Sequence, residues 1–149
     1  MNLYSKRITG SGLLAVALLG GACGSSSSSG AATNKADWQK RYAPTVAAVS
    51  IDVDSANDAL TKGDRPVVLS SCYQLQDDLA GARKGLPVPD PTVDAAVRSG
   101  LDAVGTAVPT CIHGGQVANQ ASIVEQAQRE MKAARTKMDD ANKAIADWQ

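Results

Sequence analysis

From Asn34 onward, apolar residues recur at steps of three and four. Trp38, Tyr42, Val46, Val49, Val53, Ala56 and Leu60 follow at steps of 4, 4, 3, 4, 3 and 4, which keeps them on one face of a 3.6-residue helix. Asn34 is placed to cap this first segment, with Asp37 three residues later in a capping-box-like arrangement, and Gly63 ends it. Pro44 lies inside the segment, where it removes a backbone donor and crowds the preceding turn, so a kink or a restart is expected there. A second helix is predicted from Asp64-Arg65-Pro66, with proline in the first turn where its missing N–H costs little. Its stripe is Val68, Cys72, Leu75, Leu79, Ala82 and Leu86. Leu86-Pro87-Val88-Pro89 is too proline-rich to continue a helix, and Asp90-Pro91 then repeats the start signal. The third stripe is Val93, Val97, Leu101, Val104, Val108 and Cys111; Pro109 is expected to distort or end this helix and Gly114-Gly115 to stop the chain's helical path. The last helix is predicted from about Gln116 to Gln149, with Val117, Ala121, Val124, Ala127, Met131, Ala134, Met138, Ala141, Ile145 and Trp148 on one stripe. At ~1.5 Å per residue it would reach ~50 Å.

No alternation of apolar and polar residues competes with this pattern. The fold class is therefore all-α, and short connections place successive helices side by side in an antiparallel four-helix bundle over residues 35–149. Composition sharpens the expectation. Alanine contributes 25 residues and phenylalanine none, so the helices must approach closely, with small side chains between them and little room for a pocket. An up-down-up-down path also brings the start of the first helix to the end of the fourth. Trp38 and Tyr42 should then meet Trp148 at the end nearest the N-terminal segment, either capping a thin core or resting against a membrane interface.

Residues 1–22 read as targeting rather than fold. Lys6 and Arg7 precede the apolar run Leu13 to Leu19, and Gly20-Gly21-Ala22 supplies small residues before Cys23. A spanning helix needs roughly 20 apolar residues, and this run is far shorter. Leu19-Gly20-Gly21-Ala22-Cys23, followed by Gly24 and the serines Ser25 to Ser29, resembles a bacterial lipoprotein signal. That resemblance implies that Cys23 becomes the first mature residue and carries the acyl chains, palmitate among them, that anchor the protein to the extracytoplasmic face of the cell membrane. Residues 23–34 then form a Gly/Ser-rich tether, and Gly24 to Asn34 as a random coil would span roughly 17 to 20 Å. A secretory signal cut near Ala22, leaving Cys23 a free thiol, is the alternative.

With Cys23 acylated, Cys72 and Cys111 remain as one pair in an oxidising compartment, and a disulfide is expected. Their arms about the proline turn are unequal, however. Helical arms from Cys72 to Gly85 and from Pro91 to Cys111 differ by ~10 Å at 1.5 Å per residue; ending the third helix near Val108, so that Thr110 and Cys111 fold back, would bring the sulfurs together. The hairpin of residues 72 to 111 also resembles small actinobacterial envelope proteins with a two-cysteine helical hairpin. This likeness implies an exported helical domain and no particular activity.

Candidate chemistry is sparse. His113, in Cys-Ile-His-Gly-Gly, could serve as a general base or ligand, but it is the only histidine and no nucleophile motif accompanies it, so a solvated loop position accounts for it. Asp52, Asp54 and Asp58 have the spacing of a calcium loop, but its sixth position is Asn57 and its twelfth Gly63; they read as a polar helix face. Asp77-Asp78 and Asp139-Asp140 are adjacent pairs ~100° apart on a helix, which suits solvation. Met131 and Met138 share a face and suit core filling more than an adaptable groove. Glu125 with Arg129 and Asp139 with Lys143 are spaced for i,i+4 pairs, and Arg98 has Asp90, Asp94 and Asp102 within reach. Lys plus Arg and Asp plus Glu each total 15, so no overall field favours nucleic acid. The expected function is that of a lipid-anchored, non-catalytic interaction or structural module with no cofactor. Its partners would be the membrane, through the anchor, and another envelope protein. A carrier holding a small apolar ligand between its helices is the alternative.

Overall fold

In a computed structural model of the chain, residues 34–117 and 119–148 are described, and four helices account for nearly all of them. They are α1 (Lys35–Lys62), α2 (Arg65–Arg83), α3 (Pro91–Gln116) and α4 (Ala121–Asp147). The expected leader, Cys23 and the tether up to residue 33 lie outside the described residues. Among the described residues, no helix is long and apolar enough to cross a membrane.

The helix starts follow their local chemistry. Asn34 Oδ1 accepts from the Asp37 backbone N–H at 2.9 Å, and Asp90 accepts from the N–H groups of Thr92 and Val93 at 2.8 and 2.9 Å, so donors with no intrahelical partner are satisfied. Gly63 closes α1 at φ 71°, a left-handed conformation that glycine adopts without strain, and donates to Ala59 O at 3.0 Å.

Neighbouring helices run antiparallel. Gly100 lies against Met138 while Gly114 lies against Ala127, so α3 and α4 pass in opposite directions. Trp38 near the start of α1 donates to Gly85 O beyond the end of α2 at 2.5 Å. Arg65 at the start of α2 reaches Gly115 and Gln116 at the end of α3. The helices form a ring in chain order, with α3 and α4 sharing the most extensive interface. The predicted stripes line the core: Val46, Val49 and Val53 from α1, Cys72 and Leu75 from α2, Val97, Leu101 and Val104 from α3, and Met131, Ala134 and Met138 from α4 are all fully enclosed.

Three sequence expectations require correction. Of the outcomes expected at the prolines, a kink or restart at Pro44 and a distortion or end at Pro109, the restart and the end do not occur, since each proline sits inside one continuous helix. Both rings lie on exposed faces, where the carbonyls they leave without a helical donor can meet water, while the flanking residues Val46, Val49, Val108 and Cys111 are buried. Packing thus offsets an internal-proline cost of about 3 kcal/mol. Gly114-Gly115 does not stop α3 either, because these glycines serve helix packing. A Cβ at Gly115 would come within 2.9 Å of Leu69 Cδ2 and of Val68 Cγ1, closer than carbon atoms pack. The helix end is completed by Arg65, whose guanidinium donates to Gly115 O at 3.0 Å and Gln116 O at 2.7 Å. As a consequence α4 begins at Ala121, and with 27 residues it is shorter than the predicted helix.

The disulfide forms by a different route from the one anticipated. Cys72 and Cys111 are bonded with Cα atoms 6.0 Å apart, yet α3 remains helical through Cys111. The inequality is absorbed by the connection between α2 and α3. Arg83, the last residue of α2, donates to Leu101 O at 3.4 Å, so α2 ends level with the middle of α3, and the segment from Lys84 to Asp90 runs on along the bundle to reach Pro91. Seven residues of extended chain can cover ~23 Å, enough for the offset. The segment is pinned as it goes: Gly85 O accepts from Trp38, the Val88 N–H donates to Asp94 Oδ1 at 2.7 Å, and Val88 is buried.

Candidate functional site

Two places gather side chains with chemical character: the pole where α1 begins and α4 ends, and the seam between α1 and α2.

At the pole, the antiparallel path brings together the three predicted aromatic residues. The Trp38 ring lies 6.3 Å from Tyr42 and 5.9 Å from Trp148, the latter edge-on, a favourable arrangement for aromatic quadrupoles. Lys35 Nζ stands 5.6 Å from the centre of the Trp148 ring, within range of a cation–π attraction. Trp38 is a core residue with 0 % exposure and its indole N–H is held by Gly85 O, so of this cluster Tyr42, Trp148 and Lys35 offer surface and Trp38 does not. A groove of about 370 Å³ beside Trp148 is lined by Asp90, Thr92, Val93, Ala144 and Asp147.

The α1–α2 seam carries a feature that the sequence did not disclose. Thr45 packs against Gly81; with the helices antiparallel, this register sets Asp52 opposite Gln74, one turn from Asp78. Gln74 Nε2 donates to Asp78 Oδ2 at 2.7 Å, and Asp52 Oδ2 is buried without a hydrogen-bond partner. Burial, followed by the neighbouring Asp78 carboxyl, pushes the Asp52 carboxyl up to about 6. The Asp52 carboxyl, with the hydrogen bond from Gln74, holds Asp78 below the usual carboxylate range. Asp52 flanks the stripe residues Val49 and Val53, and Asp78 flanks Leu75 and Leu79. Border positions of this kind look solvated until two helices are paired in register.

The remaining candidates disperse. Asp54 turns to α4, where it pairs with Arg135, and Asp58 is exposed, so the three aspartates of the calcium-like run point to different surroundings. Among the described residues, no group of three or more His, Cys, Asp or Glu side chains is placed to hold a metal ion. His113 is exposed, as expected, but lies on α3 rather than in a loop. Met131 and Met138 are fully enclosed core residues. Glu125 and Arg129 pair at 3.9 Å, whereas Asp139 takes Arg135 at 2.9 Å in place of Lys143. Arg98 binds Asp94 at 2.6 Å; Asp102 pairs with Arg83 and Asp90 caps α3. Asp94 sits in a burial that raises its pKa, but the hydrogen bonds from Arg98 and the Val88 N–H outweigh it and hold the carboxyl low. A second polar seam joins α1 to α4: Arg135 donates to Ser50 O at 3.3 Å, and Asn142 Nδ2 donates to the buried Ser50 Oγ at 2.7 Å.

No family model matches the chain, and no curated protein or solved structure shows significant similarity to it.

Proposed function

We propose that the protein is a lipid-anchored module of the bacterial cell envelope that acts through its surface and performs no turnover. The carrying observation is that large side chains and closely approaching backbones fill the space between the helices. Trp38, Leu75, Leu101, Met131 and Met138 are completely enclosed, and a Cβ on Gly100 would stand 2.9 Å from Met138 Sδ and 3.1 Å from Lys137 O. An apolar ligand between the helices would have to displace these contacts, which weighs against the carrier reading. The pattern around Cys23 supports the anchor. Residue 34 enters α1 at the aromatic pole, so a tether ending there would hold Tyr42, Trp148 and Lys35 toward the lipid and the opposite pole outward. Confinement to a surface raises the effective concentration of membrane-held partners, and a modest interface then suffices.

The reading is tested in the native host by crosslinking in cells, together with mass spectrometry of the membrane fraction and native mass spectrometry of the released domain. The expected result is a diacylated or triacylated Cys23 and a crosslinked envelope protein, since two or more chains give stable anchoring and one does not. A water-soluble product with a free Cys23 thiol would exclude the anchor. A stoichiometric small molecule retained by the domain, with no crosslinked protein, would replace the module by a carrier.

A further inference from the structure

The two poles of the bundle display different side chains. Where α1 begins and α4 ends, Tyr42 and Trp148 lie half-buried over the enclosed Trp38, and the groove beside Trp148 leaves part of that residue open. The connection between α2 and α3 adds the half-buried Leu86 and the exposed rings of Pro87 and Pro89 to the same end. At the opposite pole the chain reverses through Gly63 and Asp64 and again between α3 and α4, and no aromatic residue stands there among the described residues. The remaining described aromatic, Tyr73, lies midway along α2.

The charges around the aromatic pole are divided in a way that favours an anionic surface. Lys35 stands beside the Trp148 ring, Lys40 and Lys84 are exposed, and none of these three enters an ion pair formed among the described residues. The nearby acids are mostly occupied. Asp37 pairs with Arg41 at 2.8 Å and Asp94 with Arg98 at 2.6 Å, while Asp90 accepts the first N–H groups of α3. Further up α4, Asp140 and Lys143 are both exposed and cancel. Three lysines are thereby left against the exposed Asp147.

We propose that this pole docks directly on an anionic bilayer, with the Trp148 and Tyr42 rings at headgroup level and Lys35, Lys40 and Lys84 over the lipid phosphates. Amphipathic rings favour that layer, and each lysine near an anionic surface adds about 1 kcal/mol, or about fivefold in partitioning. Trp38, enclosed and held by Gly85 O, supports the contact from beneath without entering it. The docking rests on the anchored reading of Cys23, because the chain enters α1 at this pole and Gly24 to Asn34 at coil dimensions reaches only roughly 17 to 20 Å. At that range a weak contact suffices. An anchor alone lets the domain turn on its tether, whereas docking fixes its orientation and presents the far pole, with His113 and the α3–α4 connection, to other envelope components.

The protein purified from its host is combined with vesicles of phosphatidylcholine, with or without phosphatidylglycerol, whose acyl chains are brominated near the headgroup. Trp38 and Trp148 are the only tryptophans, so Trp148→Phe reports Trp38 alone. Emission is expected to shift to the blue and be quenched in the anionic vesicles, less so in pure phosphatidylcholine, and the quenching should vanish in Trp148→Phe. In a second arm, the full chain carrying Cys23→Ser, which cannot be acylated, is partitioned onto the anionic vesicles. Its leader is common to every variant, so the ratio between variants isolates the pole: Lys35→Gln and Lys84→Gln should each lower partitioning about fivefold. An unquenched Trp148 in vesicles that retain an acylated protein would overturn the docking and leave the anchor standing. Quenching by a protein whose Cys23 carries no lipid would support the docking and remove the anchor. Equal quenching in the two vesicles, or unchanged partitioning in both lysine variants, would overturn the anionic contact. If Trp148→Phe fails to fold, the lysine variants decide.

Discussion

The α3–α4 seam and the α1–α2 seam are both antiparallel helix pairs of similar construction, yet they are held in different ways. At the first, glycine and alanine remove side-chain bulk, so the backbones close until methionine sulfur and main-chain oxygen fill the remaining space. At the second, the inner stripe is apolar but the border carries Asp52, Asp78, Gln74 and serines, and a groove remains. A dry, closely packed seam responds mainly to volume, because a misfit methylene has no place to go. A seam with carboxyls at its border responds to protons as well. The difference teaches that in an alanine-rich bundle rigidity is local to the seams where small residues face one another.

The largest expected effect comes from cutting the covalent link between the two halves. The Cys72–Cys111 bond ties α2 to α3 across a sequence separation of 39, and closing a loop of that size contributes about 4 kcal/mol in the chain-entropy model. The Cys72→Ala/Cys111→Ala double variant should lose close to that amount in urea denaturation. A loss below about 1 kcal/mol would show that packing alone holds α2 against α3.

Volume comes next. Gly100→Val should destabilise the α3–α4 seam by about 1 to 3 kcal/mol, the usual cost of overpacking, because its side chain meets Met138 Sδ and Lys137 O. A change to alanine at the other seam has the opposite sign. A Cβ on Gly81 would find Thr45 Cγ2 at 3.6 Å, an ordinary contact, so Gly81→Ala should gain up to about 1 kcal/mol from helix propensity. Equal effects of the two substitutions in thermal and urea denaturation would remove the contrast between the seams.

The smallest effect is an acid limb. Asp94 is held low in the folded protein by Arg98 and the Val88 N–H, so its contribution is present above the ordinary 3.8 and is lost as pH falls below it. The drop in thermal midpoint between about pH 4 and about pH 2.5 should be shallower in Asp94→Asn than in the parent. An unchanged slope would detach Asp94 from acid unfolding.

The aromatic pole was legible in the sequence, since the meeting of Trp38, Tyr42 and Trp148 follows from helix order alone. The depth of Trp38 was not, because its enclosure depends on the α2–α3 connection passing over it and accepting its indole N–H at Gly85. The disulfide partners were legible from the cysteine count, but the path between them was not. Pro109 suggested a broken helix; instead the connection advances along the bundle while α3 stays whole. Asp52 and Asp78 were each visible only as one more polar border residue.

Periodicity, caps and punctuation act within a few residues, so the sequence by itself determined that the chain forms four amphipathic helices, where three of them start, and which faces they bury. What lies beyond that range was decided by tertiary structure. Gly114 and Gly115 became packing positions instead of a stop because Leu60, Val68 and Leu69 arrive from other helices. Arg65 completed the end of α3 from a distance of 50 residues along the chain. Asp52 and Asp78 came together only through the register of α1 on α2. Helix propensity and capping are local sums, whereas register is settled by all the seams closing at once around a shared core, and no single segment carries that information.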